Sequence, residues 1–485
     1  MRCTYLVVMW TFLMLLAPNG QAAILDGDQV ATLRDWLKEP ADQRVATESL
    51  DLPEKLTRGE AEAAAAEIWN LIKEASQASA SPLGELPEIV GPPTKEGRLK
   101  LRTGGLELGK YKMPFVVLRR EAATGVDLKQ QPGRPLFLCL HGGGQMAQAP
   151  GPHAWPVNTR EWQAQVGLSL QVYPDTGVYW IPRMADDRLG RWWHKHNQQA
   201  IDQVIDHAIT HWGVDPNRVY LLGISEGGYG TDILAPFMPD RFAGAAAMAA
   251  GVGLGNPPEN LRNLAFRSEV GAEDNMFDRK KLAVAYHQRL DELHAADPQG
   301  YPHELNLQAN RGHGIDYAPG PAWIAGHRRQ PFPDKLVWID KPLHGERRDR
   351  FYWLNVDSAD REGRCRFVVQ ANRERHRIEV TAEQLNGEGD QAFATHAGQG
   401  TVEQVVPLQN IDVSLLLSDE LLDLDNDFTV ELNGQQYLVE ANRSCRAILR
   451  SLVDRPDPAA VATQWVTVPA KPAATDNEVT NPVVP

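Results

Sequence analysis

The sequence predicts an α/β protein: a mostly parallel sheet covered by helices on both faces, with a short helical region before it and an all-β module after it. Three observations carry that expectation. Between about 97 and 340, apolar strand-like runs alternate with helical patterns, which builds a sheet sandwiched between helices. One of those runs leads straight into Gly-Ile-Ser-Glu-Gly at 223–227. After about 340 the texture changes to short runs of alternating polarity, and Asn433-Gly434 between two of them is a strong hairpin signal.

The elements follow in order. With 485 residues the chain exceeds a single compact core. Arg2 precedes an apolar run from about 5 to 17, then Pro18, Asn19 and Gly20, then Ala22 and Ala23. This is the layout of a cleavable secretory signal over 1–23, so the expected location is secreted or periplasmic. An uncleaved anchor is the other reading of the same run. No later stretch is apolar enough to cross a bilayer, so no transmembrane helix is expected in the mature chain. Residues 24–95 read as helices, with Ile68, Leu71 and Ile72 on one face, ending in a Pro/Gly-rich linker.

In the unit expected over 96–340, the strand-like runs are 115–118, 136–140, 178–181, 219–224, 242–250, 264–270 and 305–309. The clearest helix carries Ile201, Val204, Ile205, Ala208, Ile209 and Trp212 on one face. The β-rich module is expected over 341–455, and a Pro/Ala-rich disordered tail over 456–485. The net charge of −14 leaves no electrostatic footprint for nucleic acid. Cys139 falls in an apolar strand; Cys365 and Cys445 are a possible disulfide pair after export, which spacing alone does not establish.

The motifs sit at strand ends. In G-x-S-x-G, Ser225 occupies a sharp strand-to-helix turn, where a side chain at either glycine would collide with neighbouring backbone. Downstream, Asp274 follows one strand run and His313 the next, in the order nucleophile, acid, base. His313 would accept the serine proton while Asp274 fixes its tautomer. Glu269, Glu273 and Asp278 compete with Asp274; His327 and His344 are the rivals of His313. The run 136–140 ends in His141-Gly142-Gly143-Gly144, whose bare backbone can aim N–H groups at a developing oxyanion. The candidate donors are Gly143, Gly144 and the backbone N–H of Glu226.

HGGG, GISEGGYG, VGAEDNMFDR and RGHG together resemble secreted esterases of the α/β-hydrolase superfamily, in the group with feruloyl and acetylxylan esterases, polyhydroxybutyrate depolymerases and prolyl-oligopeptidase-like hydrolases. The resemblance covers about 97–340. It implies the α/β-hydrolase fold and ester hydrolysis through an acyl-enzyme, on a small-molecule or polymer-attached ester, without metal or organic cofactor. It carries the nucleophile to Ser225, the base to His313 and the acid to Asp274.

Around the motifs, Trp155, Trp192 and Trp193, with Trp162 and Trp180, either line a substrate pocket or pack loops onto the body. Arg183, Arg188 and Arg191 either hold a carboxylate or pair locally. Asp423, Asp425 and Asp427 open like a calcium loop, but Phe428 stands at the sixth position and Gly434 at the twelfth. His207 and His211 lack the Glu of HEXXH. No metal site is expected. A serine peptidase on the same triad, and a catalytically silent binding protein on this scaffold, remain as the alternatives.

Overall fold

A computed structural model describes residues 23–78, 81–87, 102–120, 133–174, 176–386 and 404–470. The expected signal at 1–23 lies outside them except for its last residue, as does the expected linker from 88 onward.

Eight strands form the main sheet: β1 (Arg102–Leu108), β2 (Tyr111–Arg120), β3 (Arg134–Leu140), β4 (Gly177–Pro182), β5 (Val214–Ile224), β6 (Gly244–Met248), β7 (Ala265–Gly271) and β8 (His303–Gln308), in the order β1-β2-β4-β3-β5-β6-β7-β8. β2 runs antiparallel to both of its neighbours. From β4 to β8 every pairing is parallel. This is the α/β-hydrolase fold. Strand β1 escapes the sequence because Gly104 and Gly105 interrupt its alternation. A Cβ on Gly104 would lie 2.3 Å from the Phe115 ring, so the glycine makes room for that core side chain.

Helices cover both faces. Alternate strand residues face opposite ways. Leu136, Leu138 and Leu140 therefore join one apolar cluster, and Phe137 and Cys139 the other. The first cluster takes α4 (Lys195–His211), α5 (Glu226–Phe237) and α6 (Arg279–Ala296). The expected α4 stripe, Ile201 to Trp212, is buried there in full. The second cluster takes α3 (Pro156–Gln171) and α7 (Pro319–Ile324).

Helices α1 (Gly27–Lys38) and α2 (Arg58–Gln77) each begin with a capping box, Asp26 with Gln29 and Thr57 with Glu60. α2 packs against α1 and, in one apolar cluster shared by all three, against α8 (Cys445–Asp454), a helix the sequence reading placed inside an all-β segment. Its apolar residues Ile448, Leu449 and Leu452 close a third small core with Ile68 and Leu71.

The C-terminal part is a sandwich of two sheets around one apolar core. One holds β9 (Lys335–Asp340), β12 (Arg364–Asn372), β13 (Arg377–Asn386), β14 (Gln404–Pro407), β16 (Phe428–Leu432) and β17 (Gln435–Val439). The other holds β10 (Arg350–Phe351), β11 (Leu354–Asn355), β15 (Ile411–Leu417) and β18 (Gln464–Ala470). Two expectations change. β9 pairs with β12, so this sheet begins before 341. The stretch expected to be a disordered tail from 456 contains β18, whose Val466, Val468 and Ala470 alternate into the core; residues 471–485 lie outside the described ones.

The disulfide is also corrected. Cys365 and Cys445 are free and buried, Cys365 in the sandwich core and Cys445 beneath α2. Buried ion pairs join the sandwich to the main sheet unit: Arg455–Asp240 and Arg329–Asp457, both 2.6 Å. No helix among the described residues is long and apolar enough to cross a membrane.

Candidate active site

Strand β5 ends at Ile224, and Ser225 turns the chain into α5 with φ 53° and ψ −113°. That is a strained backbone for a residue with a Cβ. The flanking glycines are required by contact. A Cβ on Gly223 would lie 2.1 Å from the Gly227 carbonyl oxygen, and one on Gly227 would lie 2.1 Å from that of Leu140. The N–H of Ser225 donates to Met248 at 2.9 Å, anchoring the turn on β6.

Loops after β7 and β8 meet over the serine. Gly271 permits their approach, since a Cβ there would sit 2.0 Å from the Gly312 oxygen. His313 Nδ1 lies 2.8 Å from Asp274 Oδ2, and its Nε2 lies 3.1 Å from Ser225 Oγ. A carboxylate only accepts, so Nδ1–H donates to it and Nε2 is left to receive the serine proton. The Asp274 side chain is buried, while that of His313 is 45% exposed. Arg279 Nη1 donates to the other oxygen of Asp274 at 3.2 Å, and its Nε donates to Tyr229 Oη at 3.0 Å.

The rivals go elsewhere. Glu269 is held in the sheet by Arg267, Asn306 and Gln308. Asp278 sits at φ 56° ahead of α6. His327 packs on Trp323, and His344 stacks on His194.

The loop after β3 is braced on all sides. His141 is fully buried. Its Nδ1–H donates to the Gly142 oxygen at 2.6 Å, and its Nε2 accepts the Met184 N–H at 3.0 Å. Burial pushes this imidazole down to about 3, so it stays neutral. Gly142 lies beside Ser225: a Cβ there would be 3.5 Å from Ser225 Cβ.

Gly143 and Gly144 have φ of 102° and 135°, accessible to glycine alone. Asn158 grips Gly144 twice, accepting its N–H and donating to its oxygen, each at 3.0 Å. This corrects the expectation for Gly144, whose N–H is already bonded. Among the described residues the N–H groups of Gly143 and Glu226 have no hydrogen-bond partner.

Asn158 is itself fixed by Asp187 at 2.7 Å, and Asp187 by both Nη atoms of Arg183 at 2.9 Å. All three are buried. Sequence gave no sign of this brace, because its members come from a helix and a loop that meet only in the fold.

Glu226 carries a second, unexpected feature. Its side chain is buried and lies 2.5 Å from Arg191 Nη1, against Gly144. Burial outweighs the pull of Arg191 and raises the carboxyl to about 7 from an ordinary 4.5. The folded protein thus holds this proton more tightly than the unfolded chain. Its stabilising contribution is complete below pH 4.5 and is lost as pH rises through about 7. Relative to Glu226→Gln, wild-type stability is expected to fall by about 2–3 kcal/mol between pH 4.5 and 8, read by urea unfolding at each pH. A constant difference across that range would contradict the assignment.

The aromatic and basic candidates resolve differently. Trp192 is buried; its Nε1–H donates to the His141 oxygen at 3.0 Å, and Gly230 makes room for it. It is a brace, not a pocket wall, which corrects that expectation. Trp180 is also buried, and Trp162 donates to Ile181 at 3.0 Å. Trp155 is half-buried, with its backbone N–H on Asp187. Trp193 is half-buried, with the Arg191 guanidinium 5.7 Å from its ring. Arg183, Arg188 and Arg191 pair with Asp187, Asp186 and Glu226.

No family model matches the chain. Curated proteins align with part of it. Over 126 residues it is 29% identical to poly(3-hydroxyalkanoate) depolymerase C of Paucimonas lemoignei, covering 24% of this chain and 28% of that protein. Over 130 residues it is 35% identical to the proposed esterase NocK of Nocardia uniformis subsp. tsuyamanensis, covering 27% and 36% respectively. The chain thus spans about a third of the length of the curated relatives it matches. Among solved structures, the poly(3-hydroxybutyrate) depolymerase LpqC from Bordetella parapertussis aligns with 48% of this chain and 92% of its own, at 13% identity and a TM-score of 0.33.

Proposed function

We propose that this protein is a serine hydrolase that cleaves carboxylic esters outside the cytoplasm through an acyl-enzyme on Ser225. The observation that carries the reading is the hydrogen-bonded line Asp274–His313–Ser225, with the serine held on a strained turn at the end of β5. The names of the relatives, a polyester depolymerase and a proposed esterase, agree with it. The N-terminal residues, with their signal-like layout, agree with export.

The chemistry follows from the positions. Ser225 Oγ attacks the ester carbonyl as its proton passes to His313 Nε2. Asp274 stabilises the imidazolium that forms, and Arg279 keeps that carboxylate oriented. Negative charge on the former carbonyl oxygen is received by the N–H groups of Gly143 and Glu226; one such donor is worth about 100- to 1000-fold in rate. His313 returns the proton to the leaving alcohol, and a water then repeats the sequence to release the acid. Side chains and backbone supply every step, with no cofactor called for.

The test is a rapid-mixing assay with p-nitrophenyl acetate. A burst of one nitrophenol per protein, followed by slower turnover, is the expected signature of acyl-enzyme formation. Absence of hydrolysis on this ester and on the butyrate overturns the reading.

A further inference from the structure

Helix α3 approaches the nucleophile from the side of the HGGG loop. Asn158 and Glu161 are three residues apart, so they share a face of that helix. Asn158 grips Gly144, which fixes the helix against the loop. Trp162 Nε1 bonds Ile181 and fixes its rotation.

Glu161 is thereby brought to Gly142. A Cβ built on Gly142 would lie 3.1 Å from Glu161 Oε2 and 3.5 Å from Ser225 Cβ, so the carboxylate and the nucleophile flank one point. Tyr317 sits within the field of both Glu161 and Asp274. Its hydroxyl is raised above the ordinary value by burial foremost, with those two charges adding.

The other carboxyl groups beside Ser225 have arginine partners. Glu226 has Arg191, and Asp274 has Arg279. Glu161 is different. Its ion-pair partner is Arg160 at 3.9 Å, and Arg160 is 72% exposed, while the Glu161 side chain is 35% exposed. Among the described residues the Glu161 carboxylate accepts no hydrogen bond. A pair that long and that wet contributes little. The mouth of the site therefore carries one negative charge with open acceptor capacity, on a chain whose net charge is already −14.

We propose that Glu161 is a specificity-determining residue that receives a cationic hydrogen-bond donor, an ammonium group, carried by the acyl part of the substrate next to the scissile carbonyl. This rests on the hydrolase reading for the site but concerns which esters it prefers. A positive acyl group would gain a charge-assisted hydrogen bond on Glu161. A negative one would meet like charge at close range.

The test uses three p-nitrophenyl esters that differ in the charge of the acyl group: glycinate (cationic), propionate (neutral) and monosuccinate (anionic). Wild-type kcat/KM is expected to fall in that order. In Glu161→Gln the glycinate-to-succinate ratio is expected to drop about tenfold or more, and the wild-type ratio to shrink as salt is raised. A merely structural role would lower all three rates together and leave the ratio intact, which overturns the proposal.

A binding measurement separates this from the hydrolase reading. Ser225→Ala is titrated calorimetrically with glycine p-nitroanilide and with propionyl p-nitroanilide. The glycine compound is expected to bind about tenfold tighter, and Glu161→Gln in that background to remove the difference. Equal affinities overturn the proposal. If wild type hydrolyses none of the esters, the hydrolase reading fails, and the titration still decides the role of Glu161.

Discussion

Ser225→Ala is expected to lower kcat for p-nitrophenyl acetate by about 10⁵- to 10⁶-fold while the protein keeps its fold. In the proposed mechanism Oγ is the atom that bonds to the substrate, and its removal leaves the rest of the site in place. His313 remains on Asp274, and Asp274 on Arg279. The loop gripped by Asn158 does not depend on the serine. A residual rate of about 10³- to 10⁴-fold over water is therefore expected from the donors and from binding. Alanine has a Cβ like serine, so the strain at φ 53° is unchanged and the melting temperature should move little. A variant that retains a tenth of wild-type activity would mean that another group performs the attack.

The second large effect concerns Gly227 in α5. Gly→Ala inside a helix ordinarily stabilises by about 1 kcal/mol. Here the sign should reverse. The added Cβ would stand 2.1 Å from the Leu140 oxygen and 2.5 Å from its carbonyl carbon, both backbone atoms of the central strand β3. Neither can swing away, so α5 must lift from the sheet and carry Ser225 with it. Gly227→Ala is expected to cost about 4 kcal/mol or more in urea unfolding and to abolish activity. Gly167 in α3 is the internal control. Nothing lies within 4 Å of its Cβ position, so Gly167→Ala should follow the ordinary rule and stabilise by up to about 1 kcal/mol. A stabilised Gly227→Ala would contradict the close packing of the elbow.

What could be read from the sequence was what is local. The elbow, the HGGG loop, Asp274 and His313 each sit directly after an apolar strand run, and the order of those runs brings three of their side chains together. Sequence placed Gly144 among the oxyanion donors because its backbone is bare; only the fold reveals Asn158 on its N–H. Trp192 was open to either reading, pocket wall or loop packing, because it lies in an aromatic loop; the fold turns that loop inward beneath His141.

β9 lies outside every strand run read from the sequence, and its pairing with β12 is what assigns it to the sandwich. β18 was hidden by flanking Pro and Ala, although its own residues alternate. The Cys365–Cys445 pairing failed because the two lie in different cores. Glu161 had no signal at all, because its position beside Ser225 depends on how α3 docks.

The most direct measurement is reaction of the intact protein with a fluorophosphonate, followed by mapping of the modified residue by mass spectrometry. The account expects one phosphonyl group per chain, on Ser225, and a labelling rate at least about a thousandfold slower in His313→Ala, which lacks the base that accepts the serine proton. A folded protein that is not labelled, or is labelled at a residue other than Ser225, would contradict it.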